Sequence, residues 1–316
     1  LAARLLMEQG VEVEGVCFDM KFASRDTGLF REKVRSSSAD AGISVRFEDI
    51  SESFFEMLKD PAHGYGANMN PCIDCKILML TRAREMMVRL GAAFVATGEV
   101  LGERPMSQHR KALDLIERRS GLEGLLLRPL SARLLPETLP EREKAVDRRG
   151  LLDIQGRSRE RQLAMAERYG ITSYFAPAGG CLLTDPGFSA RLADLARKGP
   201  MDMDNAYLLK YGRHFRLDDG TKVVVGRNES DNEAIEGMKK RSDIELELAG
   251  DRTGPFALMR GGARAENIEK AARLVVSHSR YKEGQGIEVL FSSPGGPSGK
   301  TAVDPLEREE IDRMRV

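Results

Sequence analysis

No sign of charge dominates this sequence: 49 Lys and Arg face 49 Asp and Glu, and the formal net charge is zero. That excludes a whole-molecule attraction to nucleic acid, so only local basic clusters could supply one. Long apolar runs are also missing. No stretch of about 18 apolar residues occurs, so no helix is expected to span a bilayer and no membrane partner is expected. Cysteine is scarce, at four in 316 residues. Four are too few for a disulfide scaffold, which favours a reducing, cytoplasmic setting in which thiols do chemistry. A second C-x-x-C is absent, so a four-cysteine zinc module cannot form within the chain. His63, His109, His214 and His278 lack a metal-binding spacing such as H-x-x-x-H. Neither an internal repeat nor a low-complexity tract is evident. What remains is an ordinary globular composition, 41% apolar and 31% charged with 31 Gly and 13 Pro. It rules out disorder, collagen and a coiled-coil rod, and at this length two domains are the default.

The patterning predicts an α/β fold with a doubly wound sheet of parallel strands over residues 1–200. A smaller α+β domain is predicted over 201–316. Leu1 to Gln9 carries a helical apolar stripe stopped by Gly10, and Val11–Phe18 reads as a strand entering a sheet. A helix over about Thr27–Ala41 and a strand over Ile43–Phe47 follow. The stretch 76–90 is amphipathic and closed by Gly91, and Ala92–Gly98 reads as a short buried strand. This helix–strand rhythm is that of a parallel sheet, whose ligands sit at the carboxyl ends of strands, here near Phe18 and Thr97-Gly98. Beyond residue 200, Arg213–Leu217, Asp218-Asp219-Gly220 and Lys222–Val225 read as a hairpin. Because Leu1 falls mid-helix, the sequence is expected to begin inside a longer chain.

Asn70-Pro71-Cys72-Ile73-Asp74-Cys75-Lys76 is the most informative stretch. Asn is favoured as an N-cap and Pro in the first turn, so a helix should begin here with Cys72 and Cys75 on one face. Unpaired amides and the positive helix end would then lower both thiol pKa values, which suits a nucleophile, a persulfide carrier or a metal ligand. A structural half-site or two inert cysteines is the plainer alternative. Cys181 lies in a Gly-Gly-Cys loop. Alone it reads as a small buried hydrophobe, but with Cys72 and Cys75 it makes a trio. Such a trio suits a disulfide or persulfide relay, or an iron–sulfur cluster with one open iron. Cys17, inside an apolar strand, reads as core. Arg104, Arg110, Arg157 and Arg159 could contact phosphates, although interleaved acids make a solvated face an equal reading.

These residues resemble a family. Asn-Pro-Cys-x-x-Cys at a helix start, Ala96-Thr97-Gly98 after a strand and the distant Gly180-Cys181-Leu182 are similar to the tRNA 2-thiouridylase family of PP-loop ATP pyrophosphatases. Val16–Met20 looks like that family's second strand, whose end lies against adenine. Gly102–Gln108 resembles a thiouridylase-like branch more than the classical enzymes. The resemblance covers roughly residues 1–190. It implies an adenine-nucleotide hydrolase-like fold, ATP and Mg2+ as cofactors, tRNA as substrate, and a sulfur donor such as a cysteine desulfurase, a relay protein or sulfide. It also implies that a tRNA uridine is adenylated and its oxygen replaced by sulfur, with Phe18, Thr97 and Gly98 against the nucleotide. Cys75 matches the first catalytic cysteine and Cys181 the persulfide carrier. Cys72 is additional, and the trio looks like that of thiolases holding a 4Fe–4S cluster. The PP-loop signature Ser-Gly-Gly-x-Asp-Ser is absent from the sequence, and its expected place is immediately before Leu1.

A second resemblance spans about 205–290. His214-Phe215-Arg216, Asp219-Gly220 and Val224–Glu233 look like the RNA-binding module of NFACT proteins, which implies RNA contacts from Arg227 and Asn228. It takes the place of the thiouridylase C-terminal barrel. The leading expectation is therefore a tRNA sulfurtransferase, by persulfide or by three-cysteine cluster, with the cluster slightly preferred because it gives Cys72 a task. The alternatives are a non-catalytic RNA-binding protein that keeps the fold, or a redox or zinc protein using Cys72 and Cys75 alone.

Overall fold

The computed structural model describes residues 1–24, 26–174 and 181–316. The chain divides into two compact units, Leu1–Asp185 and Pro186–Val316. The division lies before the residue-200 boundary read from the sequence, because the helix Pro186–Lys198 belongs with the second unit.

The first unit begins with α1 (Ala2–Met7), stopped at Gly10, where φ is 77°. β1 (Gly15–Asp19), α2 (Thr27–Asp40) and β2 (Val45–Asp49) follow, and β1 and β2 pair in parallel with Asp19 opposite Asp49. Next come α3 (Ser51–Lys59), α4 (Cys72–Leu90), β3 (Val95–Ala96), α5 (Arg110–Arg119) and β4 (Leu126–Leu127), and β3 and β4 form a second parallel pair. α6 (Leu139–Arg142) and α7 (Glu160–Arg168) complete the unit. The strand expected over Ala92–Gly98 shrinks to two residues. Val95 and Ala96 pair with β4, the Thr97 amide donates to the Leu127 carbonyl at 3.0 Å, and Ala92, Ala93, Ala96 and Gly98 are exposed.

Two packing features position the chain beyond β1. Phe22 is fully buried between Phe54 and Phe55 of α3, with ring centroids 5.6 and 5.5 Å away. That aromatic wedge fixes the turn leaving β1. Leu80 of α4, Ile116 of α5, Leu122 after that helix and Leu126 of β4 form one buried cluster. α4 ends at Gly91 in the left-handed region, where a residue without Cβ carries no steric penalty.

The second unit comprises α8 (Pro186–Lys198), α9 (Met203–Leu208), β5 (Arg213–Arg216), β6 (Lys222–Val225), α10 (Glu229–Gly237), β7 (Ile244–Leu248), β8 (Ala257–Arg260), α11 (Ala265–Ser277), β9 (Ile287–Ser292), β10 (Gly299–Val303) and α12 (Arg308–Met314). Its six strands form one antiparallel sheet in the order β10-β9-β7-β8-β6-β5. α11 packs Ala271, Ala272, Val275 and Val276 onto a face holding Phe215, Val223, Leu246, Met259 and Val289. Among the described residues, no helix is long and apolar enough to cross a membrane.

Candidate functional site

The first candidate site collects at the carboxyl end of β1. Asp19, fully buried there, accepts a hydrogen bond from Arg31 Nε at 2.6 Å. The next residue, Met20, places its Sδ 4.0 Å from Cys75 Sγ in the first turn of α4. Cys181 is brought to the same end by an isolated antiparallel bridge between Ser24 and Cys181. The turn after Cys181 is tied down by Asn68 Nδ2, which donates to the Thr184 carbonyl at 2.9 Å. Thr184 Oγ1 in turn donates to the Cys181 carbonyl at 2.7 Å.

An ionised sulfur would be felt by its neighbours: a charge on Cys72 or Cys181 opposes ionisation of Cys75, and one on Cys72 opposes that of Cys181. The three cysteines thus lie near one another at this end of β1. Their acidity differs from expectation. Burial pushes the Cys75 thiol up to about 12, with Lys76 and Arg104 only partly offsetting it. Cys181 is exposed at its surface, yet its thiol is also raised, first by desolvation of the sulfur. For these two thiols desolvation outweighs every charge around them, so the expected lowering of Cys75 at the helix start is corrected. Cys17 on β1 is raised to about 11, by burial first and then by Asp19.

Asn70 also departs from expectation. Pro71 occupies the cap position of α4 without a side-chain cap bond. The Asn70 amide instead donates from Nδ2 to Cys72 Sγ at 3.3 Å and lies 3.8 Å from Met106 Sδ, while its Oδ1 accepts from the Asn68 backbone at 3.1 Å. Gly66 covers this amide so closely that a Cβ there would stand 2.5 Å from Asn70 Nδ2. Gly179 and Gly180, read as allowing close approach to Cys181, lie outside the described residues.

The expected cofactor residues are dispersed. Phe18 is half-buried on β1. Thr97 Oγ1 donates to Glu99 Oε2 at 3.2 Å. Gly98 is exposed and lines a cavity of about 510 Å3 with Leu1, Ser37, Glu103, Arg159 and Gln162. The volume is within the range of small-ligand pockets. An added Cβ at Gly98 would meet nothing within 4 Å, and Gln162 Oε1 is buried without a hydrogen-bond partner. Gly98, Gln162 and Arg159 bring an open backbone, an amide and a guanidinium together in the wall of this space. Phe18 and Thr97 are not in the cavity wall. Among the described residues, no group of three His, Cys, Asp or Glu side chains is arranged to hold a metal ion. The cysteine trio as placed therefore does not fit the cluster reading.

Sequence reasoning missed the buried charges under this site. Glu99 and Arg128, 3% and 4% exposed, pair at 3.1 Å, and Arg128 also reaches Glu117 at 2.7 Å and the Leu113 carbonyl at 3.3 Å. Lys76 Nζ stands 3.5 Å from Glu99 Oε1. Burial pushes the Glu99 carboxyl up, and Lys76 and Arg128 overcome this to leave it below the usual range. The network joins the start of α4 to the turn after β3.

Of the expected RNA-contacting residues, Arg104 is exposed and close enough to favour ionised Cys75 and Cys181. Arg110 folds back onto the Leu134 carbonyl at 3.0 Å, Arg157 is exposed, and Arg159 is ion-paired with Glu103. In the second unit Arg227 forms a two-point pair with Asp231, at 2.5 and 3.1 Å. Asn228 caps α10 by accepting from the Asp231 amide at 2.9 Å. Gly226 completes the motif. A Cβ there would lie 1.9 Å from Asn232 Oδ1, which accepts the Phe256 amide at 3.0 Å. Gly-Arg-Asn is thus a structural clasp between β6, α10 and the segment entering β8.

Comparison with known proteins assigns this part of the chain, since the family model described as the NFACT protein RNA-binding domain matches residues 212–315. Residues 212–315 are an NFACT-type RNA-binding domain. The RNA-binding domain begins just before β5 and ends after α12. The chain also has a likeness to a solved structure described as the C-terminal of the fibronectin/fibrinogen-binding protein from Streptococcus suis. Identity is 14%, coverage is 77% of this chain and 96% of that one, and the TM-score is 0.30. No curated protein matches the chain.

Proposed function

We propose that the protein is an RNA-binding protein whose first unit carries out thiol-dependent sulfur transfer to a tRNA uridine. The observation that carries this reading is the convergence of Cys72, Cys75 and Cys181 at the end of β1, in a chain that also contains an RNA-binding domain. The first unit is read as a PP-loop-like, doubly wound α/β domain working in the cytoplasm. ATP with Mg2+ would supply activation of the uridine oxygen as a leaving group, its base in the cavity beside Gly98.

Sulfur would arrive as the outer sulfur of a persulfide on a cysteine desulfurase or a relay protein; the Cys181 thiolate would attack that sulfur, the donor's thiol would leave, and Cys181 would carry the new persulfide. Its terminal sulfur bonds to the activated uridine carbon as the activated oxygen leaves. Cys75, once deprotonated, then attacks Cys181 Sγ. The sulfur–sulfur bond to the nucleoside breaks, thiouridine departs, and a Cys75–Cys181 disulfide remains for an external dithiol to reduce. Because burial raises both thiols, Cys75 needs its proton removed on substrate arrival, and Arg104 is the cation placed to stabilise the resulting thiolate.

Mass spectrometry of tRNA nucleosides from a strain lacking the gene tests this reading. One thiolated nucleoside should vanish and return with the wild-type gene but not with Cys75→Ser. A full set of thiolated nucleosides in the deletion strain would reject it. The second reading, RNA binding without catalysis, is favoured by the raised Cys75 thiol, and it predicts that Cys75→Ser complements fully.

A further inference from the structure

The clasp in Gly226-Arg227-Asn228 leaves open which surface of the RNA-binding domain holds RNA, because Arg227 and Asn228 are both engaged within the fold. A different set of cations lies around the carboxyl end of α11. His278 follows that helix, and its ring stacks on Phe215 of β5 at 5.3 Å. Two residues before Phe215, Arg213 spends its Nη1 on the Gly226 carbonyl at 3.1 Å. Phe215 is bridged to Arg315, and the Val316 amide donates to the His214 carbonyl at 3.0 Å. Arg213 and Arg315 thus flank His278. Beyond His278 the chain continues as Ser279-Arg280-Tyr281-Lys282. The Tyr281 ring receives the guanidinium of Arg280 at 5.2 Å and that of Arg252 at 5.9 Å.

We propose that this arc, formed by Arg213, Arg315, Arg280, Arg252, Lys282 and the ring of Tyr281, is the RNA-contacting surface of the domain. It deepens the RNA-binding part of the proposed function and is independent of the sulfur chemistry.

Three observations favour RNA. First, among the described residues Arg213, Arg252, Arg280 and Lys282 have no carboxylate within ion-pair distance. They differ in this from the buried Arg128 and the half-buried Arg216 and Arg260, which are all paired. Second, like charges are held together: burial and then Arg227 and Arg315 keep the Arg213 guanidinium below its usual range. Third, two guanidinium planes over one tyrosine give both phosphate-directed donors and flat surfaces for stacking, the pairing of features that single-stranded nucleic acid uses. Three of the acids nearby are already occupied. Asp231 is held by Arg227, Glu288 by Lys300 at 2.7 Å, and Asp312 lies 3.8 Å from Arg315.

The test is fluorescence anisotropy of a labelled, unmodified tRNA transcript with the full chain, titrated across a series of KCl concentrations. Arg252→Gln/Arg280→Gln/Lys282→Gln should weaken binding at least tenfold. It should also flatten the plot of log K against log salt by roughly 0.7–0.9 per lost phosphate contact. Arg308→Gln, at a fully solvated position outside the arc, should change neither quantity. Circular dichroism confirms that each variant is folded. Wild-type protein that fails to bind the transcript overturns both the RNA reading and this assignment. Tight wild-type binding that the triple variant retains, or that Arg308→Gln weakens equally, overturns the assignment alone and leaves the arc as a surface for an acidic protein.

Discussion

Replacing Arg128 by methionine removes the cation at the centre of the network beneath the thiols while keeping most of its volume. In the native protein Glu99 is 3% exposed and is compensated by Arg128 at 3.1 Å and Lys76 at 3.5 Å. The variant leaves Glu99 with only the more distant partner, and it also strips a 2.7 Å pair from Glu117. Breaking a buried pair from one side costs about 3–5 kcal/mol, because a desolvated charge is left behind. Against a domain stability of about 5–15 kcal/mol, the loss is large enough to read directly. The chain has no Trp, so urea unfolding is best followed by far-ultraviolet circular dichroism. Glu99 has a depressed pKa, so its contribution is present above the unfolded carboxylate value and is lost as pH falls through the folded one. The penalty of Arg128→Met should therefore shrink on acidification, as Glu99 takes up a proton. The double variant Glu99→Met/Arg128→Met should be less destabilised than Arg128→Met alone. A single-variant loss below about 1 kcal/mol, within the range of ordinary substitutions, or a double variant worse than either single one, would refute the reasoning.

Other outcomes follow from the same structure. Burial lowers the ammonium of Lys222 to about 8 despite Asp194 at 3.0 Å. The unfolded chain keeps that proton to higher pH, so stability should rise from about pH 8 to 10.5, by about 3 kcal/mol in all. Subtracting a urea-unfolding series for Lys222→Met isolates this slope, and identical pH profiles would contradict it. Gly226→Ala drives a Cβ into Asn232 Oδ1 and should cost about 1–3 kcal/mol by thermal denaturation, through the lost Phe256 bond. In an Asn232→Ala background the same change should add little. Iodoacetamide at pH 8, read by peptide mass spectrometry, should modify exposed Cys181 well before Cys75, whose thiol is held near 12. Equal rates would show that burial does not govern Cys75.

Much of the local architecture was legible because it rests on single residues with strong backbone preferences. Gly10 and Gly91 end their helices as expected, and Asp218-Asp219-Gly220 turns a hairpin whose strands fall close to their predicted limits. The meeting of Cys72, Cys75 and Cys181 was approached through a family resemblance, since no local pattern links residues so distant. What was misread depends on long-range packing. The Cys75 thiol rises because packing at the start of α4 desolvates its sulfur, which no helix-end rule contains. Glu99 and Arg128 are 29 residues apart and look like surface charges in a sequence rich in both signs. Asn70 has the composition of a cap, yet its amide turns to sulfur, because Pro71 takes the cap position and Gly66 closes over the side chain. Arg227 and Asn228, read from the sequence as RNA contacts, also hold the fold together through Asp231, a role that the motif alone does not disclose.

Arg315 and Val316 lie along β5, the outer strand of the six-stranded sheet. An uncovered strand of this kind invites pairing with another molecule, and here those two residues occupy part of it. The far border, β10, instead presents the charged Lys300. Shielding against self-association and the supply of one guanidinium thus depend on the same short segment. Damage that loosens it should be recognised first by turbidity on concentration, before any change in secondary structure is visible.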